Sequence, residues 1–359
     1  MIAPPNRIVL LGSTGRLGTE IQRRLGSSAT VLGVSRGRSG GSPEARADVH
    51  DGAALAKLLR PGDLVIDASA AFRPRGGRTL AGLRLALAAG AHWLDLSQER
   101  AGVVGSTGLD ADAKSKGLAL ISGAGLFPGL CAPFVREACQ AVKRVNEILI
   151  GWAPGQGLAF GPESELDLAC QAGGEAKLLL GGEWSSRRLF GDRRAFFHPE
   201  PLGELFSYNL DVPDLELYTG PGFKSASVRV SIGARPWRLR MALRALEGAR
   251  PGIEPQAALK KLRLWSGRPA LRSGCLTLLV RGVDIAANPQ ERRRSWLFPD
   301  AGVGLAATPA VLLARRALEG KLDPGAGPCL AALSVEELTR ELESLGYRQR
   351  LGSLGGWQS

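Results

Sequence analysis

A chain of 359 residues, 44% hydrophobic and 22% charged, is too long for one ordinary core and long enough for two domains. Its patterned apolar content excludes wholesale disorder. The formal charge of +12 is spread along the chain; its densest run, Arg292-Arg293-Arg294, has only Trp296 nearby and no zinc-finger or RNP-like context, so the reading is no nucleic-acid partner.

In chain order, Arg7–Leu11 is an apolar run that suits a strand buried on both faces. A helical pattern follows over Leu17–Leu25, then strand patterns at Thr30–Val34 and Ala45–Val49. Asp51 is placed to cap a helix through Leu59, which Pro61-Gly62 ends. Leu64–Ile66 makes a fourth strand, Gly77–Ala89 a helix closed by Gly90, Trp93–Leu96 a fifth strand, Leu109–Lys116 a helix closed by Gly117, and Leu118–Ser122 a sixth strand. Short apolar strands alternating with helices predict a parallel sheet with right-handed crossovers. The fold class is therefore α/β: an N-terminal Rossmann domain, a doubly wound parallel sheet, over residues 1–145.

Pro128-Gly129 opens a further helix through Lys143. Beyond it the texture changes, with longer strand patterns at Ile148–Trp152, Ala226–Ile232 and Leu276–Val280 among Gly/Pro-rich joints. Residues 146–300 are read as a second, α+β domain for substrate and dimerisation. Gly302–Leu318 and Val335–Leu345 are read as closing helices, within a segment 301–350 that packs back on the first domain. The tail Leu351–Ser359 reads as loose. The alternating apolar face of Ala226–Ile232 predicts a homodimer through the second domain.

The five cysteines, Cys131, Cys139, Cys170, Cys275 and Cys329, are odd in number, widely spaced and without a CxxC pair. They argue against a disulfide framework and a structural zinc, and no metal site is expected. Met1–Arg7 has no signal-peptide pattern, and the best apolar stretch, Leu80–Leu96, is broken by Arg84, His92 and Asp95. The expectation is a cytoplasmic protein with no membrane partner.

Gly12-Ser13-Thr14-Gly15-Arg16-Leu17-Gly18 is the motif that carries chemistry. Its glycines allow a tight turn and close approach of backbone amides to a pyrophosphate, and the following helix presents its positive end. About 20 residues on, where an acid would bond a ribose 2′-hydroxyl, the chain has Ser35-Arg36-Gly37-Arg38, which favours a 2′-phosphate and therefore NADP(H) over NAD. Ligands of such sheets lie beyond the carboxyl ends of the strands. The cofactor-binding candidates are accordingly Gly12, Ser13, Thr14, Gly15, Arg16, Leu17 and Gly18 in the loop, Ser35 and Arg36 after the second strand, Asp48 and Val49 after the third, Ala68, Ser69 and Ala70 after the fourth, and Ser97 after the fifth. His50 is placed for the adenine; His92, before the fifth strand, reads as structural.

Four stretches carry a resemblance: Gly12–Gly18 with Ser35-Arg36, Leu64-Val65-Ile66-Asp67, His92–Glu99, and Gly123-Ala124-Gly125-Leu126-Phe127-Pro128-Gly129-Leu130. Together they resemble the saccharopine dehydrogenase-like (saccharopine reductase) family over residues 7–142, more weakly over Trp296–Gly320. The resemblance implies an NADP-dependent Rossmann domain, a mixed-sheet second domain, frequent dimers, and reduction of an imine formed from an amine and a carbonyl. The chain departs from the pattern at Leu126-Phe127, where an acid often precedes Pro-Gly, and at Cys131, where Ser is common.

There is no Tyr-x-x-x-Lys pair and no hydrolase elbow. The catalytic candidates are the carboxylates Asp95, Glu99 and Asp110, with His198 in Phe196-Phe197-His198-Pro199 as a proton shuttle. The reading is an NADP(H)-dependent oxidoreductase acting on a C–N (imine) or C=O bond of a small anionic metabolite. A non-catalytic NADP(H)-binding sensor or scaffold is the alternative.

Overall fold

The computed structural model describes residues 1–26, 29–36, 44–69, 77–154, 169–220, 222–234, 237–248, 257–258, 260, 273–299, 302–354 and 356–357. The chain divides into two units, Met1–Leu130 with Val303–Ser334, and Cys131–Gly302 with Val335–Ser359.

The first unit begins with β1 (Ile8–Leu11), α1 (Arg16–Leu25), β2 (Val31–Ser35), β3 (Glu44–Arg46), α2 (Gly52–Leu58), β4 (Leu64–Asp67) and α3 (Arg78–Ala89). It continues through β5 (His92–Asp95), α4 (Arg100–Gly105), α5 (Asp110–Ser115) and β6 (Ala119–Ser122) to a π-turn at Leu126–Leu130. The second unit runs α6 (Cys131–Gln140), β7 (Arg144–Ala153), β8 (Glu175–Leu180), β9 (Glu183–Arg188), β10 (Arg194–Phe197), β11 (Glu204–Asn209), α7 (Asp214–Leu217), β12 (Val228–Ala234), α8 (Trp237–Glu247), β13 (Gly274–Val283) and β14 (Pro289–Phe298). The chain then returns to the first unit for α9 (Val303–Leu318) and β15 (Gly325–Pro328), and closes in the second with α10 (Val335–Ser344), β16 (Arg348–Ser353) and β17 (Gly356–Trp357).

In the first unit all seven strands are parallel, in the order β15-β6-β5-β4-β1-β2-β3. This is a Rossmann sheet, with the strand order switching sides between β1 and β4. Strands β1, β4 and β5 are buried along their whole length, which is why they read as unbroken apolar runs. Val9, Leu11, Val65, Trp93 and Leu120 form one core with Leu83 of α3. Gly82 of α3 lies flat on the Trp93 ring, where a Cβ would come within 2.6 Å. Helix α9 docks on α1: the Arg24 guanidinium donates to the Gly304 carbonyl (3.1 Å) and the Arg315 guanidinium to the Arg24 carbonyl (3.1 Å).

The second unit is built on an eight-stranded mixed sheet, β10-β11-β12-β7-β13-β14-β16-β17, with a separate β8-β9 hairpin. Only the β12–β7 pair is parallel. Helix α6 packs under it: Phe134 meets Trp296 of β14 with ring centroids 5.8 Å apart, and Arg294 of β14 lies over the Phe134 ring. For that reason α6 groups with the second unit and the division falls at 130/131, where the pattern change placed it at 145/146. The closing segment is likewise shared, α9 with the first unit and α10 with the second.

Two expectations about this unit are corrected. Residues 351–354 and 356–357 are ordered, since β16 pairs antiparallel with β14 and turns into β17. The apolar face of β12 is covered by its own chain: Val228, Val230 and Ile232 are fully buried. That face therefore gives no reason for a second copy.

Candidate functional site: the carboxyl edge of the Rossmann sheet

The turn from β1 into α1 is as compact as its glycines allow. Gly12 has φ +76, and a Cβ there would stand 2.7 Å from the Ser69 Cα. The Gly15 amide donates to the Gly12 carbonyl (2.9 Å). A Cβ on Gly18 would fall 2.2 Å from the Gly12 carbonyl oxygen, so only glycine lets α1 pack this close. Gly15 is the N-cap and, being glycine, caps α1 with no side chain. The Ser13 hydroxyl is buried with no hydrogen-bond partner. A helix N-terminus with no side-chain cap and an orphaned hydroxyl fit a pyrophosphate. Thr14, Arg16 and Leu17 occupy the same turn and first helical positions.

β2 ends on the buried Ser35, with Arg36 exposed beyond it. Arg46 at the end of β3 adds a guanidinium that the motif did not reveal: its Nε donates to the Arg36 carbonyl at 3.0 Å. Parallel pairing of β2 with β3, Ser35 opposite Arg46, creates this neighbourhood, and nothing in local spacing announces it. Asp48 and His50 are exposed on the turn after β3, where the Asp48 carboxylate accepts from the His50 amide, and Val49 is half-buried. Arg38 and Ala70 lie outside the described residues.

At the end of β4, Asp67 and Ser69 meet Arg78, the first residue of α3. The Asp67 carboxylate accepts from the Ser69 amide (3.0 Å) and from the Arg78 guanidinium (2.7 Å). Arg78 also donates to the Ser69 hydroxyl. A cation at a helix N-terminus opposes the helix dipole, and Asp67 offsets it. Arg78 was missed because its partner is eleven residues away. Ala68 continues β4, its amide bonded to the Leu11 carbonyl.

The two rim carboxylates are engaged by the protein itself. Asp95 Oδ1 accepts from the Ser97 amide, the Ser122 hydroxyl and the Gly123 amide, each at 3.0 Å, and Oδ2 from the Trp93 indole at 3.1 Å. Burial pushes its pKa up to about 6, against the lowering effect of the Gly123 amide. Glu99 accepts from the Gly77 amide (3.1 Å), the Thr79 amide (3.2 Å) and the Thr79 hydroxyl (2.8 Å), capping α3 from across the rim. Ser97 bridges the Thr79 hydroxyl and the Glu99 amide. Between them Gln98 is buried, and its Oε1 has no partner.

The Gly123–Leu130 stretch closes over this rim. Gly123 has φ +73, the Gly129 amide donates to its carbonyl (2.9 Å), and a Cβ on Gly129 would sit 2.8 Å from that oxygen. Leu126 and Phe127 are buried.

Asp110 and His92 belong to the other end of the sheet. Asp110 accepts from the Ala326 amide at the start of β15 and pairs with Lys114 at 2.6 Å. The paired strand positions there are Gly325 and Ala119, the amino end of β6. Asp110 thus ties α5 to β15 and does not share the rim with Asp95 and Glu99, a correction to grouping it with them. His92 Nδ1 accepts from the Ala119 amide, and burial lowers its pKa.

In the second unit His198 is buried, its Nδ1 2.9 Å from the Thr277 hydroxyl and its Nε2 without a partner. Burial drops its pKa to about 3, so it is neutral at physiological pH. Asp214, at the start of α7, is fully buried, and burial raises its pKa to about 7, with the Tyr218 hydroxyl pulling it back down. Cys131 lies within electrostatic reach and is itself raised well above the thiol range by burial. Sequence gave no sign of this carboxyl, since only the tertiary fold encloses it. No disulfide links any of the five cysteines. Among the described residues no group of metal-ligating side chains comes together, and no helix is long and apolar enough to cross a membrane.

No model of a known protein family matches the sequence, and no curated protein matches it. Solved structures do. Saccharopine dehydrogenase (L-Glu forming) from Saccharomyces cerevisiae is similar at 13% identity over 97% of this chain and 100% of its own, with a TM-score of 0.64. DAP dehydrogenase from C. glutamicum, in complex with DAP, matches at 13% identity over 94% and 96%, with a TM-score of 0.49. At such identities the likeness is one of fold, and the fold of this chain is the saccharopine dehydrogenase-like one: a Rossmann unit followed by a mixed-sheet unit.

Proposed function

We propose that the chain is an NADP(H)-dependent oxidoreductase that acts on a C–N (imine) or C=O bond of a small anionic metabolite. The observation that carries the reading is the phosphate turn, in which Gly12, Gly15 and Gly18 each hold a position a Cβ would crowd and the Ser13 hydroxyl is left for a ligand. The fold shared with saccharopine dehydrogenase supports it.

When bound, the nicotinamide supplies or takes the hydride. The chain's residues bind and orient. The Gly12–Gly18 turn and the N-terminus of α1 hold the pyrophosphate. Ser35, Arg36 and the neighbouring Arg46, whose Nε donates to the Arg36 carbonyl, receive the 2′-phosphate. Asp48 and Val49 flank the adenosine side. Ala68, Ser69 and Ser97 leave room at the rim, and Gln98 Oε1 accepts an N–H or O–H from the ligand. Arg78, beside Ser69, offers the rim a cation for an anionic group.

In this reading Asp95 and Glu99 are positioning residues. A carboxylate holding four donors, as Asp95 does, must break them before it can carry a proton. Asp95→Asn is expected to lower stability by about 1–3 kcal/mol, because its amide would confront the Trp93 indole N–H. If Asp95 were instead the acid or base, the variant would lose roughly 10²-fold or more in turnover and flatten a pH limb near 6.

That same engagement favours a second reading, a nucleotide-binding sensor without turnover. Incubating the protein with NADPH and a panel of keto acids with amines separates the two. Cofactor oxidation at a substrate-dependent rate supports the enzyme, and tight NADPH binding with no oxidation across the panel supports the sensor. Homodimer formation is proposed with the fold, and light scattering at micromolar protein tests it: a monomer mass rejects it.

A further inference from the structure

The second unit's sheet has a face that is polar where a sheet interior is ordinarily apolar. Register places five residues in one row across it: Asn209 opposite Ser231, Ser231 opposite Gly151, Gly151 opposite Thr277, and Thr277 opposite Ser295. Asn209, Thr277 and Ser295 are at most 3% exposed and Ser231 is 9%. Part of the row satisfies itself, since Thr277 bonds Ser295 (2.7 Å) and His198 (2.9 Å). The rest does not. The Ser207 hydroxyl and the Asn209 Nδ2 amide, on adjacent same-face positions of β11, are buried with no partner. Leaving such groups unpaired is unfavourable, so their placement together needs a reason.

Both line a cavity of about 180 Å³. One wall is apolar, made by Leu149, Leu279, Phe196 and Phe197. Gly151 is what admits the Phe196 ring, since a Cβ there would stand 2.5 Å from it. The charged lining consists of Arg194, Arg229, Arg281 and Arg293 against Glu147 and Asp192. Glu291 bridges Arg281 and Arg293 from behind, so cations exceed acids by one. Arg229, two residues from Ser231 along β12, is almost buried and paired with Asp192 at 2.5 Å. Two unpaired groups able to donate, an excess positive charge and an apolar wall describe a receptor for one acid group on an apolar body.

We propose that this cavity binds a small monocarboxylate with a short apolar body, the carboxylate facing Ser207, Asn209 and Arg229 and the body lying along Leu149, Leu279 and Phe196. The site stands on the second unit alone and does not rest on the nucleotide reading.

Calorimetric titration of the full chain with hexanoate, and with hexanamide as the uncharged isostere, tests it. Hexanoate should bind at least roughly tenfold more tightly than hexanamide, the ratio expected from one charge-assisted contact. Ser207→Ala, which removes a single hydroxyl and leaves every ion pair intact, and Asn209→Leu should each weaken hexanoate about five- to tenfold with little effect on hexanamide. No hexanoate binding at millimolar concentration, equal binding of the two probes, or unchanged hexanoate affinity in both variants would overturn the proposal. The first comparison uses only the unaltered protein, so it stands if a variant does not fold.

Discussion

Asp214 shows how much a single residue's environment decides. Its carboxyl is fully buried, and burial raises its pKa to about 7 in the folded chain, against 3.8 when exposed. The unfolded chain therefore releases this proton at lower pH than the folded one, and the group's contribution to stability falls as pH rises from about 4 to 7. Asp214→Asn abolishes that dependence. We expect its gain in unfolding free energy to be larger at pH 8 than at pH 5 by about 1–3 kcal/mol, measured by urea denaturation at both. An equal effect at the two values would show that the carboxyl does not hold its proton in the fold. His198 behaves in the opposite chemical sense but with the same origin: buried and neutral, with a pKa near 3, it would have to be charged on acidification. Neither environment was legible in sequence. Asp214 is one acid among 34, and His198 drew notice only for its aromatic neighbours.

At the scale of elements, legibility followed burial pattern. β1, β4 and β5 are buried on both faces and read directly as apolar runs. β14 did not, because Glu291, Arg292, Arg293 and Arg294 put charge on both of its faces. The structure accounts for three of the four: Arg293 pairs with Glu291, while Arg294 bonds Glu137 of α6 at 2.5 Å and covers Phe134. The arginine run is thus a strand held by local acids and an aromatic ring. The phosphate turn was legible because its chemistry is local, with all three glycines inside seven residues. Gly18→Ala tests the element. Its Cβ would come 2.2 Å from the Gly12 carbonyl oxygen, so stability should fall by about 1–3 kcal/mol and NADPH affinity should fall with it. An alanine variant with unaltered melting temperature and affinity would mean that α1 moves freely against β1. The rim was legible only in part. Asp95, Ser97 and Glu99 stand together, as their spacing predicts, but Arg46, Arg78 and the unpartnered Gln98 reach the edge through pairings that sequence distance conceals.

At the scale of the whole molecule, two units with different sheets are built from one chain that crosses between them three times. The parallel unit's strands β1 to β6 alternate with short helices and turns that announced them, while β15 was not read. The mixed unit alternates short hairpins with long strands, and that is why β8–β11 and β16 escaped the sequence reading while β7, β12 and β13 did not. The shared fold with saccharopine dehydrogenase concerns this whole arrangement, and the account of function rests on the nucleotide end of the first unit. The direct test is therefore a titration of the unaltered protein with NADPH and NADH, followed by nicotinamide fluorescence, beside Arg36→Asp and Arg46→Ala. The account predicts at least roughly tenfold tighter binding of NADPH, a preference reversed or abolished by Arg36→Asp and reduced by Arg46→Ala. Equal affinity of the unaltered protein for the two nucleotides, or binding of neither, would contradict it.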